Sequence, residues 1–137
     1  MSDTSHPPDA TAMHPAEGLV RRFLAALEAR DLEAARACLS PGLRTVFPAT
    51  GEMRDLAEVL DWAAPRYQRV GKHLSGFDVL QDGATAIVYC RGTLHGLWPD
   101  GQPFDGIRFI DRFEIEGGLI TRQDVWNDLA EHKGLRA

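Results

Sequence analysis

The sequence predicts an α+β fold in which N-terminal helices pack on a strongly curved antiparallel β-sheet and close off a mainly apolar pocket. Three observations carry this expectation. Apolar residues recur at helical spacing in the first half of the chain, the period drops to two from about His73, and the period-two stretches are separated by hairpin-turn residues. Helices first and hairpin-linked strands after is an α+β order, and it excludes the strand-helix alternation of a nucleotide-binding parallel sheet. A chain of 137 residues that is 44% apolar can build one core without metal or disulfide staples.

The elements follow in order. Met1 to Pro15 carries Pro7, Pro8 and Pro15 among small polar residues and reads as a flexible tail (1–15), which makes His6 and His14 poor site candidates. Leu19, Val20, Phe23, Leu24 and Leu27 then form one face of a helix running to Arg30. Asp31 caps a shorter helix that buries Leu32, Ala35 and Leu39 and ends at Pro41-Gly42. Leu43 to Phe47 is a short strand stopped by Pro48, and a third helix spans about Arg54 to Ala64 before Pro65. His73 to Leu80, Ala84 to His95, Phe104 to Ile115 and Leu119 to Asn127 are the four strands of a meander, turning at Asp82-Gly83, Pro99-Asp100-Gly101 and Gly117-Gly118. The single domain is expected to cover 16–128, with a C-terminal tail over 129–137.

Composition narrows the function classes. Lys plus Arg is 15 against 20 for Asp plus Glu, a net charge of -5, so nucleic acid is not expected as a partner. Cys38 and Cys90 lack the spacing of a zinc site and read as reduced core residues; together with the missing leader pattern they point to a cytoplasmic protein. No apolar run approaches membrane-span length, so no membrane partner is expected. Gly117-Gly118 lies between strands and is no phosphate loop, and no His, Asp and Glu set has metal-ligand spacing on one element. Neither a cofactor nor a metal is expected.

Three stretches carry a family resemblance: Arg22-Phe23-Leu24-Ala25-Ala26-Leu27 leading to Asp31-Leu32, Phe47-Pro48, and Phe109-Ile110-Asp111-Arg112-Phe113 before the Gly117-Gly118 turn. From Ala16 to Asp128 the chain resembles the nuclear transport factor 2-like superfamily, especially its SnoaL-like polyketide cyclase and ketosteroid isomerase branch. The resemblance implies a cystatin-like cone and a homodimer through the outer sheet face, where Ile87 and Tyr89 would lie. A ketosteroid isomerase looks for a tyrosine, a general-base aspartate and a proton-bearing aspartate; the matching positions here are Phe23, Phe47 and Asp111. With two of the three apolar, steroid isomerisation by that mechanism should be absent or very weak.

Asp111 has its own physical case. Phe109, Asp111, Phe113 and Ile115 share one strand face, which sets a carboxyl group in an apolar row where burial would raise its pKa. It would serve as the proton-transfer group, or else pair with a buried arginine or main-chain amides, or face a subunit contact if the register is reversed. On the final strand the family register turns Gln123, Val125 and Asn127 inward, and the opposite parity would present Arg122, Asp124, Trp126 and Asp128. Gln123 and Asn127 would orient a carbonyl or hydroxyl, or satisfy buried main-chain groups. The same comparison turns Val88, Cys90 and Gly92 inward, with Cys90 a wall residue and no nucleophile. His73, at the start of a strand near the pocket opening, is the candidate catalytic partner of Asp111. Trp98, in a hairpin loop, is a candidate specificity element.

The substrate-binding set is therefore Phe23, Phe47, Val88, Cys90, Phe109, Gln123, Val125, Asn127 and Trp98, around Asp111 and His73 as catalytic residues. The expected function is a cofactor-independent acid-base enzyme, cyclase or isomerase-like, acting on a small, partly apolar organic substrate. A non-catalytic small-ligand binding protein and a structural dimerisation domain are the alternatives. An epoxide hydrolase of this fold would need an arginine near Asp111, whereas Arg108 and Arg112 fall on the other strand face.

Overall fold

The computed structural model describes residues 13–136; His6 and most of the expected N-terminal tail lie outside them. The first helix, α1 (Pro15–Glu28), starts earlier than its apolar pattern suggests because Pro15 occupies its first turn and His14 caps it, the imidazole accepting from the Ala16 amide at 3.0 Å. It buries Leu19, Val20, Phe23 and Leu24 on one face. Asp31 caps α2 (Leu32–Ala37) by accepting from the Ala34 amide. That helix stops short of Leu39, and strand β1 (Leu39–Val46) already includes Pro41 and Gly42. Proline is tolerated there because β1 is the edge strand of the sheet, and its outer side is bridged at Thr45, to Met53, away from Pro41. Asp55 caps α3 (Leu56–Ala63).

The meander consists of β2 (Arg69–Asp82), β3 (Thr85–Leu97), β4 (Pro103–Glu116) and β5 (Leu119–Asn127). Gly83, Gly101, Gly117 and Gly118 adopt the positive φ its turns require. The segment expected as a C-terminal tail carries a helix, α4 (Leu129–Arg136), whose Leu129 is buried.

The sheet corrects the expected architecture. The α+β class and the order of elements stand, but the five strands are arranged β1-β5-β4-β3-β2 and β1 runs parallel to β5. The sheet is thus mixed rather than antiparallel, and open rather than strongly curled into a cystatin-like cone. Hairpins made the antiparallel part readable; the return of β1 to pair with β5 is a long-range contact with no turn to announce it.

Each of the three strand pairs of the meander carries a register shift, and the one in β2 decides which of its side chains face inward. Leu74 pairs with Gly92 and Gly76 with Arg91, leaving Ser75 as the extra residue. Gly92 has to be glycine, since a Cβ there would stand 1.8 Å from the His73 carbonyl oxygen. The core lies between α1 and the inner sheet face, where Phe23 meets Phe113 edge to face at 6.2 Å.

Candidate functional site

Asp111 sits on β4 opposite Cys90 on β3 and Val125 on β5, in the middle of the inner face. It is 0% exposed, and neither carboxylate oxygen has a hydrogen-bond partner among the described residues. Its neighbour is Lys72 on β2, whose Nζ stands 3.3 Å from Oδ2. The contact is an ion pair without the alignment of a hydrogen bond. Lys72 reaches across β3 to make it, and its ammonium also lies 5.1 Å from the centroid of the Phe109 ring.

The electrostatics of the pair follow from burial. Desolvation pushes the Asp111 carboxyl above the ordinary carboxylate value, and the opposing pull of Lys72 and Gln123 does not overcome it. Burial by itself would lower Lys72, but attraction by Asp111 and then by Cys90 and Tyr67 carries it above the usual lysine value. Both shifts favour the protonated form, which keeps the charge on Lys72 and works against the charge on Asp111. The Cys90 thiol, pushed up to about 12 first by burial and then by Asp111, stays protonated.

Two cavities meet at this point. The first, about 430 Å³, is walled by apolar residues of α1 and α3, such as Leu24, Leu27, Leu56 and Leu60, together with Gln123. The second, about 370 Å³, is lined by Trp62, Phe109, Asp111, Val125 and Asn127 among others. Phe47, Tyr67, Val70 and Lys72 belong to both walls. Apolar surroundings with a few converging polar groups are what a small-molecule site requires.

Of the residues singled out from sequence, Asp111, Phe47, Phe109, Gln123, Val125 and Asn127 line these cavities. Asn127 also accepts from the Leu129 amide at 3.0 Å and so holds the start of α4. Cys90 lies beside Asp111 on the neighbouring strand and lines neither cavity. Phe23 and Val88 lie in the core and line neither cavity. Trp98 also lies away from both, packed on Phe104 with ring centroids 4.6 Å apart.

His73 is displaced furthest from its expected place. Its side chain is 62% exposed, 3.8 Å from Asp105 and stacked on His95 at 4.3 Å, on the outer side of the sheet. Lys72, absent from the sequence-derived set, takes the position beside Asp111. The reason is the Ser75 bulge. Before it Val70, Lys72 and Leu74 turn inward; after it Phe77 and Val79 do. An unbroken alternation drawn through the strand turns the wrong half outward, and the apolar pair Val70 and Leu74 flanking Lys72 was the signal that could have identified it.

A family model described as SnoaL-like domain matches residues 20–123. No curated protein sequence matches the chain. Among solved structures, an NTF2-like protein of unknown function from Burkholderia pseudomallei superimposes with a TM-score of 0.72 at 20% identity, covering 90% of this chain and 98% of that one. TerC, co-crystallised with polyporic acid, gives 0.73 at 17% identity, with 90% and 100% covered. A proposed polyketide cyclase from Xanthomonas campestris gives 0.70 at 20% identity, with 90% and 97% covered. At these identities the structural likeness shows the fold, and that fold also carries cyclase and isomerase-type enzymes. The family match spans most of the chain, and the chain belongs to the SnoaL-like domain family within the NTF2-like superfamily.

Proposed function

We propose that the protein is a cofactor-independent acid-base enzyme, cyclase or isomerase-like, acting on a small, mainly apolar organic substrate with Asp111 as the proton-transfer group. The observation that carries this reading is the fully buried Asp111 carboxyl, free of hydrogen bonds and at the wall of a cavity. Burial without hydrogen bonds costs on the order of several kcal/mol for a charged group, a cost that a purely structural position avoids with an apolar residue. A carboxyl whose pKa burial has raised is a stronger base than an exposed one, and apolar walls exclude the water that would compete for its proton. Gln123 and Asn127 supply amides at the walls that can orient a substrate oxygen. Membership of a family with polyketide cyclase relatives supports the same class of chemistry.

The test is solvent-deuterium incorporation into a panel of small carbonyl compounds with an acidic C–H bond. The wild-type protein accelerates incorporation for part of the panel, and Asp111→Asn reduces that rate by roughly a hundredfold or more. Equal rates in the two proteins reject Asp111 as the proton-transfer group.

A non-catalytic small-ligand carrier is the second reading. It is favoured by Phe47, an apolar residue on both cavity walls where an isomerase of this superfamily would bring a base. Ligand binding without deuterium incorporation would select it.

We also infer a homodimer through the outer sheet face. Tyr89, Ile110 and Trp126 are 36%, 38% and 52% exposed on that face, an apolar surface suited to burial against a second copy. Sedimentation equilibrium on Trp126→Lys should show a weakened dimer; a wild-type monomer would end this proposal.

A further inference from the structure

The cations on the cavity walls are not equivalent. Arg30, at the first cavity, donates to the Gln68 carbonyl at 2.8 Å, and Arg66, at the second, lies 4.1 Å over the Trp62 ring. Lys72 belongs to both walls, and its ammonium faces an acidic group that itself lacks hydrogen bonds. The groups around it are Asp111 from β4, Cys90 from β3, Tyr67 from the segment before β2, and Glu28 from α1, which accepts from the Lys72 main-chain amide at 3.2 Å.

We propose that Lys72 is the oxygen-holding residue of this site: its ammonium takes an anionic oxygen of a mainly apolar ligand, an enolate or phenolate, in exchange for the Asp111 carboxylate. This deepens the acid-base reading and rests on it for the direction of proton transfer.

The step balances within the pocket. A substrate C–H bond beside a carbonyl breaks and its proton goes to an Asp111 oxygen. The electron pair left on carbon becomes the C=C bond of the enolate, and the C=O π pair moves onto oxygen beside Lys72. Before the step the charges at the site are the half-buried Lys72 ammonium and the buried Asp111 carboxylate; afterwards they are the same ammonium and the enolate, with Asp111 neutral. No charge is added to the apolar interior, and the cation that held one anion holds the next. The reverse transfer, from Asp111 to the same or a neighbouring carbon, completes exchange or isomerisation. Raised basicity at both Lys72 and Asp111 is consistent with this exchange, since one stays charged while the other accepts the proton.

The test uses 4-nitrophenol, whose phenolate absorbance reports ionisation of the bound probe, with Asp111→Asn and the double variant Lys72→Met/Asp111→Asn compared after circular dichroism shows both folded. The two proteins differ only at position 72, and neither leaves a buried carboxylate unpaired. Asp111→Asn should bind the phenolate roughly tenfold or more tightly than the double variant, the difference one charge-assisted hydrogen bond makes. Affinities within about twofold of each other overturn the proposal. Lys72-dependent phenolate binding with deuterium incorporation unaffected by Asp111→Asn keeps the oxygen site and rejects Asp111 as the base. Incorporation lost in Asp111→Asn without any Lys72 effect on phenolate binding keeps the base and rejects the oxygen site.

Discussion

Asp111 and Arg112 are adjacent on β4, point to opposite faces of one sheet and live under opposite rules. Arg112 pairs with Glu114 and lies 3.8 Å from Asp124, which Arg122 engages at 2.9 Å, with Glu52 a further partner of Arg122. That outer ladder is partly exposed, and each of its charges has a partner and access to water. Asp111 has a cation at 3.3 Å, no hydrogen bond and no water-exposed surface. A charge network at a surface adds solubility and little stability, whereas a sparsely partnered charge in the interior is reactive. The inner face is itself divided: around Phe23, Val88, Phe113 and Ile120 it is packed, and around Lys72 and Asp111 it is hollow.

Substitutions should separate these regions by size of effect. Phe113→Ala removes a fully buried ring from the packed half and should lower the unfolding free energy by about 3–5 kcal/mol in urea titrations. A loss below about 1 kcal/mol would mean that this half is not the structural core.

An intermediate effect is expected from pH. The folded-state pKa of Asp111 lies above its ordinary value of 3.8, so the native protein holds this proton more tightly than the unfolded chain. The stabilisation is complete below pH 3.8 and is lost as pH rises towards the folded-state value. Relative to Asp111→Asn, the wild-type protein should therefore lose stability over the interval that begins at pH 3.8 and ends at the folded-state value, by on the order of 1 kcal/mol for each pH unit. A wild-type advantage that grows over this interval would reverse the sign and contradict the account.

The smallest effect belongs to the outer ladder. Arg122→Ala should cost about 1 kcal/mol or less in the same titrations, and less still at high salt. A loss comparable to that of Phe113→Ala would dissolve the distinction between the two faces.

Much of the fold was legible because its signals are local. Helical spacing from Leu19 to Leu27, and glycine turns at Gly83, Gly101 and Gly117-Gly118, specify elements from a few neighbouring residues. The parallel pairing of β1 with β5 is not local, and neither is the degree of sheet curvature, so the expected antiparallel cone was corrected. The site divides similarly. Asp111 could be placed by alternation because β4 keeps its parity through Phe109, Asp111 and Phe113. Lys72 could not, since one extra residue at Ser75 reverses the parity of β2 and exchanges it with His73. Whether an inward residue such as Phe23 packs or lines a cavity depends on where α1 and α3 lie over the sheet, which alternation alone does not encode.

The central claim is that Asp111 carries a displaced proton in a hollow part of an otherwise packed face. Its most direct test is an NMR titration of the side-chain carboxyl carbons, with Asp111 assigned by the resonance missing from Asp111→Asn. The account predicts a midpoint above the ordinary carboxylate value of 3.8 that moves further upward when Lys72 is replaced by Met. A midpoint at or below that value would make Asp111 a conventional salt-bridged carboxylate and contradict the account.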